Sequence, residues 1–282
     1  MSYMFPRTMV GGVSLSRMII GTNWILGYSH TGSAADTLIR KINDTHHCAT
    51  EMLEVFLKSG IDTIMGPFAG SPNLLKAVKA AEDRTGKPVI IIDTPIINVD
   101  DNKAARLEAE AVIAESKKIG ATLCLPHHSS VEQLVNKNTK TINRLADYLK
   151  MIRQHDMIPG LSAHMPELVV YSDLNGYDVE TYIQIFNCMG FLMQVEVEYI
   201  HKVIWDAKKP VITIKPLAAG RVSPFVGLTF CWHTIRDCDM VTIGCLTPEE
   251  AAEDIEISLA ALNNRPPDLE GRSSPNKTEI MK

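Results

Sequence analysis

Pro88-Val-Ile-Ile-Ile-Asp-Thr94 is a short, almost wholly apolar run that follows a Gly86-Lys87 turn and rises to an acidic residue. This length and composition predict a β-strand that is covered on both of its faces. Comparable runs recur along the chain, and a helical pattern follows each of them. Together they are Met18–Asn23, Gly60–Gly66, Pro88–Thr94, Ala121–His127, Met157–His164, Leu192–Glu196, Pro210–Lys215 and Met240–Gly244. Eight strand-and-helix units predict an α/β fold of the (β/α)8 or TIM-barrel type.

The length of the chain fits one such barrel. A TIM barrel typically takes ~250 residues, and this chain has 282, so we expect a single domain over 1–282. The segment 263–282 is rich in Pro, Asn, Ser and Lys, which predicts an irregular tail. A net charge of −5 without a basic stripe argues against a nucleic-acid partner. No apolar stretch approaches the ~20 residues of a membrane span, and the N-terminus lacks the pattern of a signal peptide.

The cysteines indicate a reducing environment. The chain has six cysteines and no CxxC pair, which is typical of reduced thiols in a cytoplasmic protein. We expect a small-molecule substrate as the partner, and homo-oligomer formation stays open.

Polar residues end most of the predicted strands. In TIM barrels the chemistry lies at the carboxyl ends of the strands, so these residues are the candidates for function. We expect a divalent-metal site, with Zn²⁺ or Mn²⁺ bound by Asp93, His127 or His128, His164 and Glu196, because mixed N and O ligands suit these ions. The alternative is that the same side chains are hydrogen-bonded groups of a pocket that holds no cofactor.

Lys215 ends the predicted seventh strand, where burial lowers the pKa of an amine. Such a lysine acts as a base or as a Schiff-base nucleophile. The alternative is a structural ion pair with Glu196. In the long loop after strand one, Asn23, Trp24 and Tyr28 are candidates for substrate binding at the rim, or for packing of the loop over the barrel.

Six segments, in the right order, resemble the aldo/keto reductases. They are Leu15–Thr22, Phe56–Ile61, Pro159–Glu167, Met193–Glu196 (strand six), Lys215–Gly220 and Ile243–Asp254 (the last strand and the cofactor-phosphate helix). The resemblance implies a TIM barrel that binds NADP, with the nicotinamide amide at Ser162 and Gln194. It places the cofactor phosphate near Gly244 and Thr247.

Most of that family's catalytic tetrad of Asp, Tyr, Lys and His is missing. The four positions fall on Met65, Gly70, Asp93 and His127, and Asp62 replaces the first only if the alignment shifts. Without the Tyr and Lys, hydride transfer loses a proton donor worth about 10²–10⁴ in rate. The basic residue that binds the cofactor phosphate falls on Glu250, which would repel a phosphate. The sequence therefore predicts the scaffold and argues against NADP binding.

We therefore expect acid–base chemistry, metal-assisted or not, of the lyase, isomerase or hydrolase type on a small carbonyl- or sugar-like substrate. His127 is the expected acid or base, Lys215 a base or oxyanion stabiliser, and Asp93 a third catalytic residue or metal ligand. One alternative is an NAD(P)H-dependent oxidoreductase with an altered catalytic set. The other is a barrel that binds a ligand without catalysis.

Overall fold

The computed structural model describes residues 4–269. Its strands, in chain order, are β1 (Arg7–Val10), β2 (Val13–Ser16), β3 (Met18–Gly21), β4 (Thr63–Gly66), β5 (Ile90–Asp93), β6 (Leu123–Cys124), β7 (Val135–Asn136), β8 (Thr141–Ile142), β9 (Ile158–Pro159), β10 (Leu161–Ala163), β11 (Tyr182–Ile185), β12 (Val211–Ile214) and β13 (Met240–Ile243). Its α-helices are α1 (Asn23–Leu26), α2 (Ser33–Ile42), α3 (His47–Lys58), α4 (Pro72–Thr85), α5 (Lys103–Lys118), α6 (His128–Val131), α7 (Leu145–Gln154), α8 (Glu167–Asn175), α9 (Val197–Asp206), α10 (Pro224–Thr234) and α11 (Pro248–Leu262). A short 3₁₀ turn, Glu132–Leu134, follows α6.

The central sheet is parallel and closes on itself. Its strand order is β10-β11-β12-β13-β3-β4-β5-β6-β9. The two end strands, β9 and β10, are consecutive in the chain and are separated only by Gly160, so the nine short strands form eight barrel strands. A Cβ at Gly160 would lie 2.7 Å from the carbonyl oxygen of Thr181, so only glycine allows this close approach. The predicted TIM barrel is confirmed.

A hairpin of β1 and β2 covers the amino-terminal end of the barrel. The two strands pair antiparallel and turn at Gly11 and Gly12, both of which have positive φ. Val10 and Leu15 from this hairpin are buried in the same apolar cluster as the inward-facing side chains of the barrel strands. The hairpin therefore plugs the floor, and the opposite end of the barrel is left open.

Apolar side chains fill two layers. The barrel interior holds inward-facing residues such as Ile19, Ile92 and Ile212, and a larger cluster lies between the sheet and the helices. Successive side chains of a strand point to opposite faces, so both faces of each barrel strand need apolar residues. Each fully buried Ile or Leu contributes about 1.5–3 kcal/mol relative to exposure.

The predicted sixth strand, Leu192–Glu196, is wrong. This segment is a loop that leads into α9, and the sixth barrel strand is β11, Tyr182–Ile185, which pairs with β10 and β12. Side chains alternate between partly buried and exposed along 191–197, which imitates a strand with one solvated face. A barrel strand is covered on both faces, and β11 is fully buried.

Within residues 4–269, no helix combines the length and the apolar character needed to span a bilayer. Most of the predicted tail, 270–282, lies outside the described residues. The single-domain organisation stays a prediction.

Candidate functional site

The carboxyl ends of the barrel strands open into a cavity of about 1080 Å³. We call it the mouth cavity. Its walls include the strand ends after β3, β4, β5, β6, β10, β12 and β13, together with the loop that follows α1. Four histidines and one lysine line it, namely His30, His127, His128, His164 and Lys215. Three carboxylates, Glu250, Glu253 and Asp254, also line it.

Lys215 follows β12 directly and has a φ of 62°, a left-handed conformation that is strained for a lysine. Its Nζ lies 3.4 Å from Nε2 of His30, and burial lowers the pKa of the amine. No carboxylate within residues 4–269 offsets that lowering. The ion pair with Glu196 is not formed, because Glu196 is exposed at the start of α9.

His30 is oriented by the loop that carries it. Its Nδ1 lies 3.0 Å from the carbonyl oxygen of Tyr28, and a carbonyl only accepts, so Nδ1 holds the proton in the neutral ring. Nε2 is therefore free to accept a hydrogen bond from the Lys215 amine. Burial first, and then the charge of Lys215, lower the pKa of His30. His30 and Lys215 therefore form a pair in the cavity wall, with Nε2 of His30 as the proton acceptor and the Lys215 amine as its neighbour.

His127 is fixed as a hydrogen-bond donor. It caps α6, and its Nδ1 accepts a hydrogen bond from the backbone N–H of Ser129 at 3.3 Å. The neutral ring therefore carries its proton on Nε2. Burial, with a further contribution from His128, lowers the pKa of His127 to about 4. At neutral pH this ring stays uncharged, and its Nε2–H is available as a hydrogen-bond donor.

His128 and His164 form a stack, with ring centroids 3.6 Å apart. Burial and the neighbouring His128 lower the pKa of His164 to about 3. Beneath them Glu132 accepts the backbone N–H groups of His164 and Met165 at 2.6 and 2.8 Å. Burial favours a higher pKa for this carboxyl, but hydrogen bonds from His128 and these N–H groups hold it below its usual range. Glu132 is not among the residues singled out from the sequence, although it lies four residues after His128, a spacing that would place both side chains on one face of a helix.

Asp93 does not face the mouth cavity, contrary to the sequence prediction. Its carboxylate accepts from the backbone N–H of Phe68 at 3.0 Å and from the Ser116 hydroxyl at 2.6 Å. Ser116 lies on α5, so Asp93 points into the layer between sheet and helices. Burial raises the pKa of Asp93, and those hydrogen bonds oppose the rise. The side chain joins β5 to α5, which is a structural role.

The expected metal site is not assembled. Asp93 faces the helices and Glu196 lies on an exposed loop, so neither reaches His128 and His164. Among residues 4–269, no group of three or more His, Cys, Asp and Glu side chains is arranged to hold a metal ion. The donor set predicted for Zn²⁺ or Mn²⁺ therefore does not converge.

The candidate cofactor residues separate in the same way. Ser162 lines the mouth cavity, but Gln194 is exposed in the loop that replaces the predicted strand. The glutamine that the barrel buries is Gln184 in β11, and its Nε2 lies 3.5 Å from the carbonyl oxygen of His164. Gly244 lines the cavity against Trp24, where a Cβ would lie 3.0 Å from the indole Cδ1.

The phosphate end of the predicted cofactor site is filled by the chain itself. Thr247 caps α11 by accepting the N–H of Glu250 at 3.2 Å, and the Glu250 carboxylate accepts the N–H of Leu246 at 2.7 Å. This is a variant of the capping box in which the carboxylate accepts from the residue before the cap, and it occupies two of the amides at the start of α11. Glu249 adds a second negative charge to the first turn. These residues do not fit a nucleotide phosphate.

The remaining predicted positions lie as follows. Asn23, Trp24 and Tyr28 line the mouth cavity, with Tyr28 54% exposed at its rim. Met65 is buried in the barrel interior. A shifted alignment does not restore the tetrad, because Asp62 precedes β4 at the opposite end of the barrel and is ion-paired with Arg7 at 2.9 Å.

Comparison with solved structures places the fold. A Pseudomonas aeruginosa protein assigned to the aldo-keto reductases has a TM-score of 0.65 at 13% identity, over 91% of this chain and 95% of that chain. An aldo/keto reductase from Klebsiella pneumoniae, in complex with NADP and acetate, has a TM-score of 0.58 at 13% identity, over 98% of this chain and 93% of that chain. Orotidine 5′-monophosphate decarboxylase from Methanocaldococcus jannaschii, complexed with an inhibitor, has a TM-score of 0.52 at 12% identity. The match covers 86% of this chain and 97% of that chain. No protein-family profile matches the sequence, and no curated protein matches it. The chain shares the barrel fold of the aldo-keto reductases, as the resemblance implies.

Proposed function

We propose that this barrel is an enzyme that promotes proton transfer next to the carbonyl group of a small substrate, without a nicotinamide cofactor. The reaction class is that of an isomerase or lyase. The observation that carries the proposal is Lys215, a partly buried amine without a carboxylate partner among residues 4–269, held in a cavity that also contains a neutral imidazole donor.

In this proposal His127 and Lys215 have different roles. The Nε2–H of His127 donates to the carbonyl oxygen and stabilises the negative charge that develops when the neighbouring carbon loses a proton. The Lys215 amine promotes that loss, since burial raises the fraction of the amine that is uncharged near neutral pH. Asn23, Trp24 and Tyr28 contribute the rim that contacts the rest of the substrate.

The reductase alternative is the weaker one on structural grounds. The capping box of Glu250 fills the helix terminus expected to bind phosphate, and the tetrad positions hold Met65, Gly70 and a buried Asp93. The Klebsiella pneumoniae relative in fold does bind NADP. Titration with NADPH, followed by nucleotide fluorescence, therefore tests the alternative directly: micromolar binding favours a reductase.

The function itself is tested by proton exchange. Purified protein is incubated in D₂O with pyruvate or with dihydroxyacetone, and deuterium uptake beside the carbonyl is followed by NMR. We expect exchange with the wild type, loss of exchange with Lys215→Met, and full exchange with Lys140→Met. Lys140 is a matched control, because it is an exposed lysine that also has a positive φ, of 54°. Equal exchange in all three proteins contradicts the proposal.

A cytoplasmic location and a small-molecule partner belong to the same proposal. All six cysteines are unpaired in the structure.

A further inference from the structure

The sequence and the fold leave two roles for the Lys215 amine, direct proton abstraction or covalent attack, and its surroundings discriminate between them. An amine that acts only as a base needs a substrate proton within reach. An amine that attacks a carbonyl also needs a partner that moves protons between nitrogen and oxygen, and a donor that stabilises the oxygen.

Both additional groups are present. His30 offers its unprotonated Nε2 to Lys215 at 3.4 Å, with the opposite nitrogen held by Tyr28. His127 keeps a proton on Nε2 because its Nδ1 accepts from Ser129. The charge of Lys215 contributes to the lowered pKa of both rings, so the three groups share one electrostatic environment.

The backbone at Lys215 supports a specific aim for this side chain. A non-glycine residue at a φ of 62° is strained, and this conformation persists only when the surrounding structure imposes it. Ala218 and Ala219, three and four residues later, also have positive φ, of 48° and 55°. This strained turn after β12 directs the lysine towards the mouth cavity, which it lines.

We propose that Lys215 forms an imine with the carbonyl carbon of a small aldehyde or ketone in the mouth cavity, with His30 relaying the protons. This rests on the proposed function, since it specifies how the amine promotes proton loss beside the carbonyl. The substrate class is a short-chain carbonyl compound that bears at least one hydrogen on the adjacent carbon.

The step balances without a further reactant. The Nζ lone pair adds to the carbonyl carbon, and the π electrons move to the oxygen beside the His127 donor. A proton passes from nitrogen to that oxygen through His30, and a second proton from solvent converts the hydroxyl to water. Water leaves as the nitrogen lone pair forms the C=N bond, which gives a protonated imine. Hydrolysis reverses each step and returns the free amine.

The test traps the imine. Wild type, Lys215→Met and Lys140→Met are each mixed with pyruvate, and in a second series with dihydroxyacetone, then reduced with sodium cyanoborohydride. Intact mass and peptide mapping identify the modified residue. We expect one reduced adduct per chain on Lys215 in the wild type and in Lys140→Met, and none at this position in Lys215→Met. His30→Ala is expected to slow trapping at Lys215 while leaving the fold, followed by circular dichroism, intact.

The outcomes separate the two proposals. An adduct on Lys215 together with proton exchange supports both. Exchange without an adduct overturns the imine and leaves Lys215 as a direct base. An adduct without exchange overturns the proposed function and keeps the imine, and the absence of both overturns both. Adducts spread over surface lysines, equal in Lys215→Met and in wild type, also overturn the imine.

Discussion

Replacing Lys215 by methionine is expected to stabilise the fold while it removes the reactive amine. Methionine keeps the unbranched length of the side chain and its contacts with the cavity wall, but it needs no water. Each unit by which burial lowers a pKa corresponds to about 1.4 kcal/mol. Lys215 is only partly buried and water screens part of this cost, so we expect a gain on the order of 1 kcal/mol at about pH 7.

The pH dependence gives this prediction a second, independent readout. The pKa of Lys215 is lower in the folded chain than in the unfolded chain, so between the two values the unfolded chain holds more protons. The wild-type free energy of unfolding therefore gains stability from this residue as pH rises towards the unfolded pKa of about 10.4. Methionine has no such dependence, so the advantage of the variant should shrink as pH rises from about 7 to about 10.

Urea unfolding at several pH values measures both quantities. His30, His127 and His164 face the same cavity, but their lowered pKa values keep them uncharged throughout this range. Lys140→Met is the control and should change stability by less than about 0.5 kcal/mol at every pH. A Lys215→Met variant that is less stable than wild type by a constant amount across the range refutes the reasoning, because it shows a lysine stabilised as a charge.

Three further predictions concern the scaffold around the site. Gly66→Ala places a Cβ 1.7 Å from the Thr22 hydroxyl oxygen, so it should destabilise the fold by about 3 kcal/mol in urea unfolding, and Thr22→Gly in the same chain should restore part of the loss. Ser116→Ala removes a hydrogen bond from the buried Asp93 carboxylate, so it should raise the pKa of that carboxyl further and lower the free energy of unfolding by about 1.5–3 kcal/mol. This loss of stability should be larger at about pH 8 than at about pH 4, where protonation removes the charge. An equal loss at both pH values contradicts an ionised Asp93. Glu250→Ala breaks the capping box of α11 and should lower stability by about 1 kcal/mol in thermal unfolding, whereas micromolar NADPH binding by the wild type would show that this carboxylate does not block the phosphate site.

The fold was predictable because it depends on a repeated pattern. Apolar runs such as Val89–Asp93, each followed by a helical pattern, define βα units wherever they occur. The prediction of the sixth strand was wrong for a physical reason. Met193–Glu196 alternates like a half-solvated strand, but a barrel strand is covered on both faces, as Tyr182–Ile185 is.

The site was predictable only in part, because the position of a residue in a strand does not by itself fix where its side chain points. His127, His164 and Lys215 do line the mouth cavity. Asp93 also ends its strand but faces Ser116 on α5 instead. Gln194 and Glu196 were placed at the cavity only because their segment was assigned to the sheet.

The sequence by itself determined the class of fold, since the period of its apolar runs allows few other ways to bury them. The resemblance that aligns Met65 and Gly70 with two catalytic positions of the aldo/keto reductases also requires only the order of the residues. Only the tertiary structure decided which polar groups meet: it brought His30, from a distant loop, to Lys215, and it turned Asp93 away from both. The reason is that contacts between side chains far apart in sequence depend on the closure of the barrel and on the face that each strand residue presents, and neither is encoded in any local stretch.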